Sequence, residues 1–266
     1  MRNYNTVTFF IVAHMDDWQL FMNPYVTWSL WNETNKVIII YTTSNDAGGG
    51  EDYWRAKEEA SISSVRFGIS HLRDVYGARE IVQINNHALH RWFGGNAICY
   101  FLRLPDGHLS GSGFASQSYQ SLQKLYQKSI HSIRAVDQST TYNGWLDFVY
   151  TLQGIIDYEV EELTDIIINY PETENIINPG DNSDHRATGL AVQAMPKYPN
   201  YRRYSYIGYH LRSYPADLLG EDLFWKIGQF AVYDKTLYDL TGYSTLKEGP
   251  SNYIEICFRS AKFREL

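Results

Sequence analysis

The first apolar run, Thr6–Ala13, is β-branched and aromatic and has no polar face. Eight residues apolar on both sides predict a strand buried within a parallel sheet. Apolar positions at Leu20, Tyr25, Trp28 and Trp31 predict a helix from Asp16 to about Asn32, which Pro24 must kink or split. Lys36–Thr43 repeats the buried-strand pattern. After Gly48-Gly49-Gly50, helical spacing runs from Glu51 to Phe67 and is closed by Gly68. Strand, helix, strand, helix in this order predicts a βαβ unit with a right-handed crossover.

Further along, Glu80–Ile84 and Ala97–Leu104 read as short strands, and Pro105–Ser118 as a Gly- and Ser-rich loop. Helices are expected over Tyr119–Ile130 and Trp145–Leu163, a strand over Asp165–Asn169, and a polar loop over Pro171–Ser183. A helix follows at Asp184–Met195. The last third predicts a strand at Tyr204–Tyr209, a helix over Asp222–Leu240 and a strand at Tyr253–Phe258. No repeat, charge block or linker interrupts residues 1–266, so one domain is expected.

Composition narrows the class. Hydrophobic content of 44% with 20% charged residues suits a packed globular protein and excludes a disordered chain. A net charge of −7 argues against a nucleic-acid partner. Cys99 and Cys257 are too few for a disulfide framework or a zinc ribbon. No apolar run approaches the roughly 20 residues of a membrane span. Met1–Ala13 lacks a small-residue cleavage site and runs straight into His14, Asp16 and Asp17, so it does not read as a signal peptide. A soluble, cytoplasmic α/β protein is the expectation. The 22 tyrosines suit either a sugar-facing surface or ordinary packing, and burial habits favour packing.

Candidate chemistry begins at Val12-Ala13-His14-Met15-Asp16-Asp17, where a buried strand gives way to a helix. Ligands of open parallel sheets bind outside the carboxyl ends of the strands. His14 and Asp17, three apart on a turn, can converge on one divalent cation, leaving Asp16 as a base. As helix-cap residues, the two aspartates have an equally ordinary explanation. Asn182-Ser183-Asp184-His185 offers a further ligand at a second loop-to-helix junction, with Asp184 placed to orient an imidazole. His71, His87, His90, His108, His131 and His210 show no paired-ligand spacing and read as structural.

Strand-A-H-x-D-D followed by a late D-H-x-A-T-G resembles the PIG-L/LmbE-like family of zinc-dependent N-acetylglucosamine deacetylases. Thr42–Ala60, with Arg55 and Glu58 as an R-x-x-E pair, is similar to the family's strand end, Gly-rich loop and helix. Leu104-Pro105-Asp106-Gly107 resembles its L-P-D-G turn. The resemblance implies an α/β, Rossmann-like fold whose mostly parallel sheet is flanked by helices. It also implies Zn2+, or another divalent metal such as Fe2+, held by His14, Asp17 and His185. Asp16 would be the general base, and the substrate a small sugar or glycoconjugate losing its N-acetyl group. Arg55 and Asp106 are the candidate sugar contacts, against an i,i+3 or i,i+4 pairing of Arg55 with Glu58 or Glu59 and a plain turn role for Asp106.

Three positions depart from the family pattern. Met15 stands in place of Pro and Trp18 in place of Glu. Asn182 stands in place of a His that carries charge or a proton. Asn182 can donate to an oxyanion but has no proton to give, which leaves Asp16 or His108 as acid. Two other readings therefore compete: hydrolysis of another small amide or ester, and carbohydrate binding without turnover. Gly48–Gly50 can cradle an anion at a helix N-terminus, but the run lacks a phosphate-loop Lys-Ser/Thr.

Overall fold

The computed structural model describes residues 4–70, 75–248 and 253–266, so His71 lies outside it. Strand β1 (Thr6–Val12) and β2 (Asn35–Thr43) are parallel, joined through a π-helical turn at Trp18–Met22 and helix α1 (Tyr25–Trp31). The expected helix is thus split at Pro24, which supplies no amide hydrogen for a continuous ladder. Helix α2 (Glu51–Ser70) runs through Gly68 rather than ending there, because its buried face continues to Ile69.

Strands β3 (Ala78–Ile84), β4 (His87–Gly94) and β5 (Ala97–Leu104) form an antiparallel meander, and β5 is parallel to β2. The sequence reading missed β4. Asn85 and Asn86 at φ 49° and 64° make the two-residue turn between β3 and β4, a backbone that Asn tolerates better than most residues. Helix α3 (Leu122–Tyr126) is much shorter than the expected Tyr119–Ile130. Strands β6 (Ile133–Arg134) and β7 (Thr141–Tyr142) pair by themselves. Helix α4 (Trp145–Val160) leads to β8 (Asp165–Pro171), parallel to β1 on its other side.

Helix α5 (Ser183–Gln193) connects β8 to its parallel neighbour β9 (Arg202–Tyr206). The strand expected at Tyr204–Tyr209 thus starts two residues earlier and ends three residues earlier. After α6 (Gly220–Thr241) and the short α7 (Thr245–Glu248), Tyr253–Cys257 is helix α8, not a strand. Its β-branched residues favoured extended chain, but Tyr253, Ile256 and Cys257 are buried along one helical face. Strand β10 (Phe263–Glu265) closes the edge antiparallel to β9.

The sheet order is β10-β9-β8-β1-β2-β5-β4-β3. Val7, Phe9 and Ile11 of β1 enter one core and Phe10 and Val12 the other, so both faces are covered. This is the mostly parallel, helix-flanked α/β sheet that the motifs implied. From β1 the chain moves outward to β2 and β5 and later returns to β8 on the opposite side. Crevices open at such a reversal, at the carboxyl ends of the strands. No described helix is long and apolar enough to cross a membrane.

Candidate active site

The loop after β1 is organised by Asp17. Its Oδ2 accepts the backbone amides of Ala13 (3.0 Å) and His14 (2.8 Å), fixing the turn and leaving Oδ1 to point outward. Thr43 Oγ1 at the end of β2 donates to the Ala13 carbonyl (2.8 Å), tying the same loop to the neighbouring strand. At the second motif junction, Asn182 caps α5: its Oδ1 accepts the Asp184 amide at 2.8 Å. Thr188 of α5 meets Thr42 hydroxyl to hydroxyl at 2.7 Å, so the A-T-G half of the second motif holds the helix against the sheet.

These anchors bring three ligand atoms together. His185 Nε2 lies 3.0 Å from Asp17 Oδ1 and 3.2 Å from His14 Nδ1, and the His14–Asp17 edge measures 3.5 Å. All three residues are buried. Metal bonds of about 2.0–2.2 Å in tetrahedral geometry place neighbouring donors about 3.3–3.6 Å apart, and the edges of 3.0, 3.2 and 3.5 Å come within about 0.3 Å of that spacing.

The far side of each ring decides which nitrogen faces inward. His185 Nδ1 is 3.0 Å from both oxygens of Asp181 and donates to that carboxylate, turning the Nε2 lone pair into the triangle. His14 Nε2 is 3.4 Å from Asp184 Oδ2, which leaves Nδ1 facing inward. Carboxylate–imidazole pairs of this kind fix the tautomer of metal-binding histidines. Two glycines make room for them. A Cβ on Gly107 would stand 2.4 Å from Asp184 Oδ1, and one on Gly208 would stand 2.4 Å from Asp181 Oδ1.

Electrostatics favour positive charge here. Burial opposes a charged imidazole, but Asp17 and Asp181 outweigh it and push His185 up to about 10. His14 is likewise raised, by Asp17, Asp184 and Asp106 against burial. Burial pushes Asp17 upward, yet the two imidazoles win and hold its carboxyl well below the usual range. Asp184 is raised by burial, and its Oδ1 has no hydrogen-bond partner among the described residues. Protons and a divalent cation compete for the same inward lone pairs.

Asp16 is buried beside the triangle, and burial raises it. Asp106 is buried nearby, where its charge acts on His14 and Asp184, and its Oδ1 accepts the His108 amide at 2.8 Å. Arg55 is not brought into this cluster. It is exposed on α2, paired with Glu51 at 2.6 Å and placed over the Trp54 ring. Glu58, its expected motif partner, is instead gripped by Arg103. Trp18, at the position of the family Glu, fills the core and donates to Tyr41 at 2.8 Å. The amides of Gly48 and Gly49 point to Asp46, so that loop is occupied by its own aspartate rather than open to an anion.

Two groups escaped the sequence reading. Asp181 lies four residues before His185, one helical turn away, and that spacing was the available signal. Lys57 is buried among site carboxylates, and nothing in its own sequence neighbourhood marked it. Tyr209 stacks on the His185 ring at 5.5 Å, bonded through its hydroxyl to Tyr253 at 2.9 Å.

The whole architecture recurs among solved structures. A deacetylase triple mutant involved in the teicoplanin biosynthetic pathway superposes with a TM-score of 0.52 at 10% identity, over 98% of this chain and 97% of that one. The A40926 pseudoaglycone deacetylase Dbv21 gives 0.50 at 11% identity, over 96% and 89%. The likeness is one of fold. No family model and no curated protein matches the chain.

Proposed function

We propose that this chain is a metal-dependent amidohydrolase of the PIG-L/LmbE-like kind, removing the N-acetyl group from an N-acetylglucosamine-type sugar or glycoconjugate. The observation that carries the reading is the triangle of His14 Nδ1, Asp17 Oδ1 and His185 Nε2, each atom aimed inward by an anchor on its far side. A protein that only bound sugar would have no use for two oriented lone pairs facing a carboxylate. The deacetylases that share the fold support the choice of reaction.

His14, Asp17 and His185 would hold the ion, zinc suiting two imidazoles and one carboxylate and ferrous iron able to take the same donors. When bound, such an ion acidifies a water and polarises a carbonyl oxygen. Asp17 is committed to the turn and the triangle, so it is unsuited to proton transfer. Asp16 next to it is not committed, and it takes the proton from the attacking water. Asp184 and Asp181 keep the imidazoles in register. Asp106 faces the same space as a sugar contact, with Asn182 left one donor, its Nδ2, after capping α5. The test is acetate release by zinc-loaded protein over a panel of N-acetylated sugars. Release from at least one glucosamine derivative is expected, and none from any member contradicts the reading.

A further inference from the structure

The sheet register sets aromatic and neutral polar side chains together on one face, away from the triangle. Phe10 of β1, Asn169 of β8 and Tyr204 of β9 are aligned in one row. Thr8 and Arg202 flank Ile167 two residues earlier, and residues two apart share a face. Tyr25 and Trp28 of α1 and Phe263 of β10 wall this face, leaving a cleft of about 430 Å³. That volume lies within the range of small-molecule sites, about 300–1,000 Å³. The cleft reaches Thr6, at the amino end of β1. Thr6 to Val12 spans about 20 Å of strand, and the His14 turn begins only beyond Val12.

The rings of this cleft are both presented and held. Trp28 is 44% exposed and Phe263 40%. The Trp28 indole donates to Asp222 Oδ1 at 2.8 Å and meets Tyr25 edge-on at 5.1 Å. Phe263 is flanked edge-on by Tyr25 at 5.0 Å and Tyr204 at 5.4 Å. Rings already fixed lose little freedom when a ligand lies against them. Among the described lining residues the charged one is Arg202, and Asp165 pairs with it at 2.8 Å. Asp165 also accepts Thr6 Oγ1 at 2.9 Å. Thr8 Oγ1 donates to Asn35 Oδ1 at 3.1 Å, which engages that oxygen and leaves the Nδ2 hydrogens for another acceptor.

An ionic ligand would meet no unmatched counter-charge here, and an acyl chain would cover the Asn35 amide without giving it an acceptor. A pyranose ring satisfies both halves of the lining. Its C–H face packs on an aromatic ring, and its hydroxyls exchange hydrogen bonds with amides and hydroxyls. We propose that this cleft is a second sugar-binding site, separate from the triangle, in which a neutral pyranose unit stacks on Trp28 and accepts from Asn35. It would hold a glycan by a unit remote from the triangle. Such binding requires no turnover, so it is independent of the deacetylase reading.

The experiment titrates the full chain with cellotriose and maltotriose, which carry no N-acetyl group and so no bond for the triangle to cleave. In isotope-labelled protein, the Trp28 indole N–H signal, identified by its loss in Trp28→Ala, should shift saturably with at least one of the two. Saturation-transfer NMR, read on the sugar protons, then compares the variants. Trp28→Ala removes the stacking ring, and Ser29→Trp fills the cleft from α1. Each should weaken binding by about tenfold or more with the melting curve unchanged. Ser29 is only half-buried, so Ser29→Trp decides the matter if Trp28→Ala loosens α1. No saturable shift with either sugar, or undiminished binding in a variant that melts like the wild type, would overturn the site. A Trp28 shift with adenosine or octanoate where neither sugar gives one would also overturn it.

Discussion

Two buried clusters of charge lie beside the same sheet and are built on opposite principles. In one, Arg103 grips both oxygens of Glu58 (2.7 and 2.8 Å), reaches Asp137 at 2.7 Å and lies over the Trp54 ring. Arg79 adds a second guanidinium to Glu58 and His90 lies 3.4 Å from Asp137, so each carboxylate has a partner. In the other, Asp16, Asp17, Asp106, Asp181 and Asp184 crowd around two imidazoles and one lysine. That cluster is rich in negative charge and keeps an unpaired Asp184 oxygen and two inward lone pairs. Burial of charge does not by itself mark a functional site. Imbalance does, because a saturated ion pair has nothing left to bind.

The contrast is sharpest in what a single substitution should destroy. Asp16→Asn should lower turnover by about 10²–10⁴ with metal content and folding midpoint unchanged, as read from kinetics and a melting curve. Arg103→Met should do the reverse. It strands Glu58 and should cost about 3–5 kcal/mol in denaturant unfolding while zinc binding persists. If Arg103→Met lost zinc, or Asp16→Asn lost stability, the division between the clusters would be wrong.

Smaller effects probe the anchors. Asp181→Asn should weaken metal affinity about 10- to 100-fold, since the His185 tautomer loses its partner. The metal-free site should also respond to pH. His185 titrates at about 10, above its ordinary value, so its imidazolium stabilises the metal-free fold fully below about pH 6.5, and this is lost as pH rises through about 10. Metal must displace that proton, so zinc titrations should show tighter binding at pH 8 than at pH 6. A flat profile would mean that His185 carries no proton to lose. Smallest of all, Asn182→Ala should cost about 1 kcal/mol for the lost cap, and Asn182→Ser should recover most of it.

Much of this was legible beforehand, and the failures have a common cause. β1, β2 and the two motif junctions announced themselves because a buried parallel strand is apolar throughout, and polar residues at its carboxyl end stand out. Asp181 and Lys57 did not, because their meaning depends on which carboxylate or imidazole folds against them. Arg55 does pair on its own helix, but with Glu51 rather than Glu58 or Glu59, because the buried Glu58 belongs to Arg103, 45 residues away. Tyr253–Phe258 was read as a strand, yet Tyr253–Cys257 is helix α8, with Tyr253, Ile256 and Cys257 buried and Tyr253 stacked on Tyr209. Local pattern identified elements with their own periodicity; long-range partners decided the rest.

Metal content after zinc loading and exhaustive dialysis tests the central claim most directly, with the wild-type protein and His185→Ala measured side by side. Convergence of His14, Asp17 and His185 on one ion predicts about one zinc per chain in the wild type and close to none in the variant. Equal zinc in both proteins would contradict it, because the triangle would then not be where the metal sits.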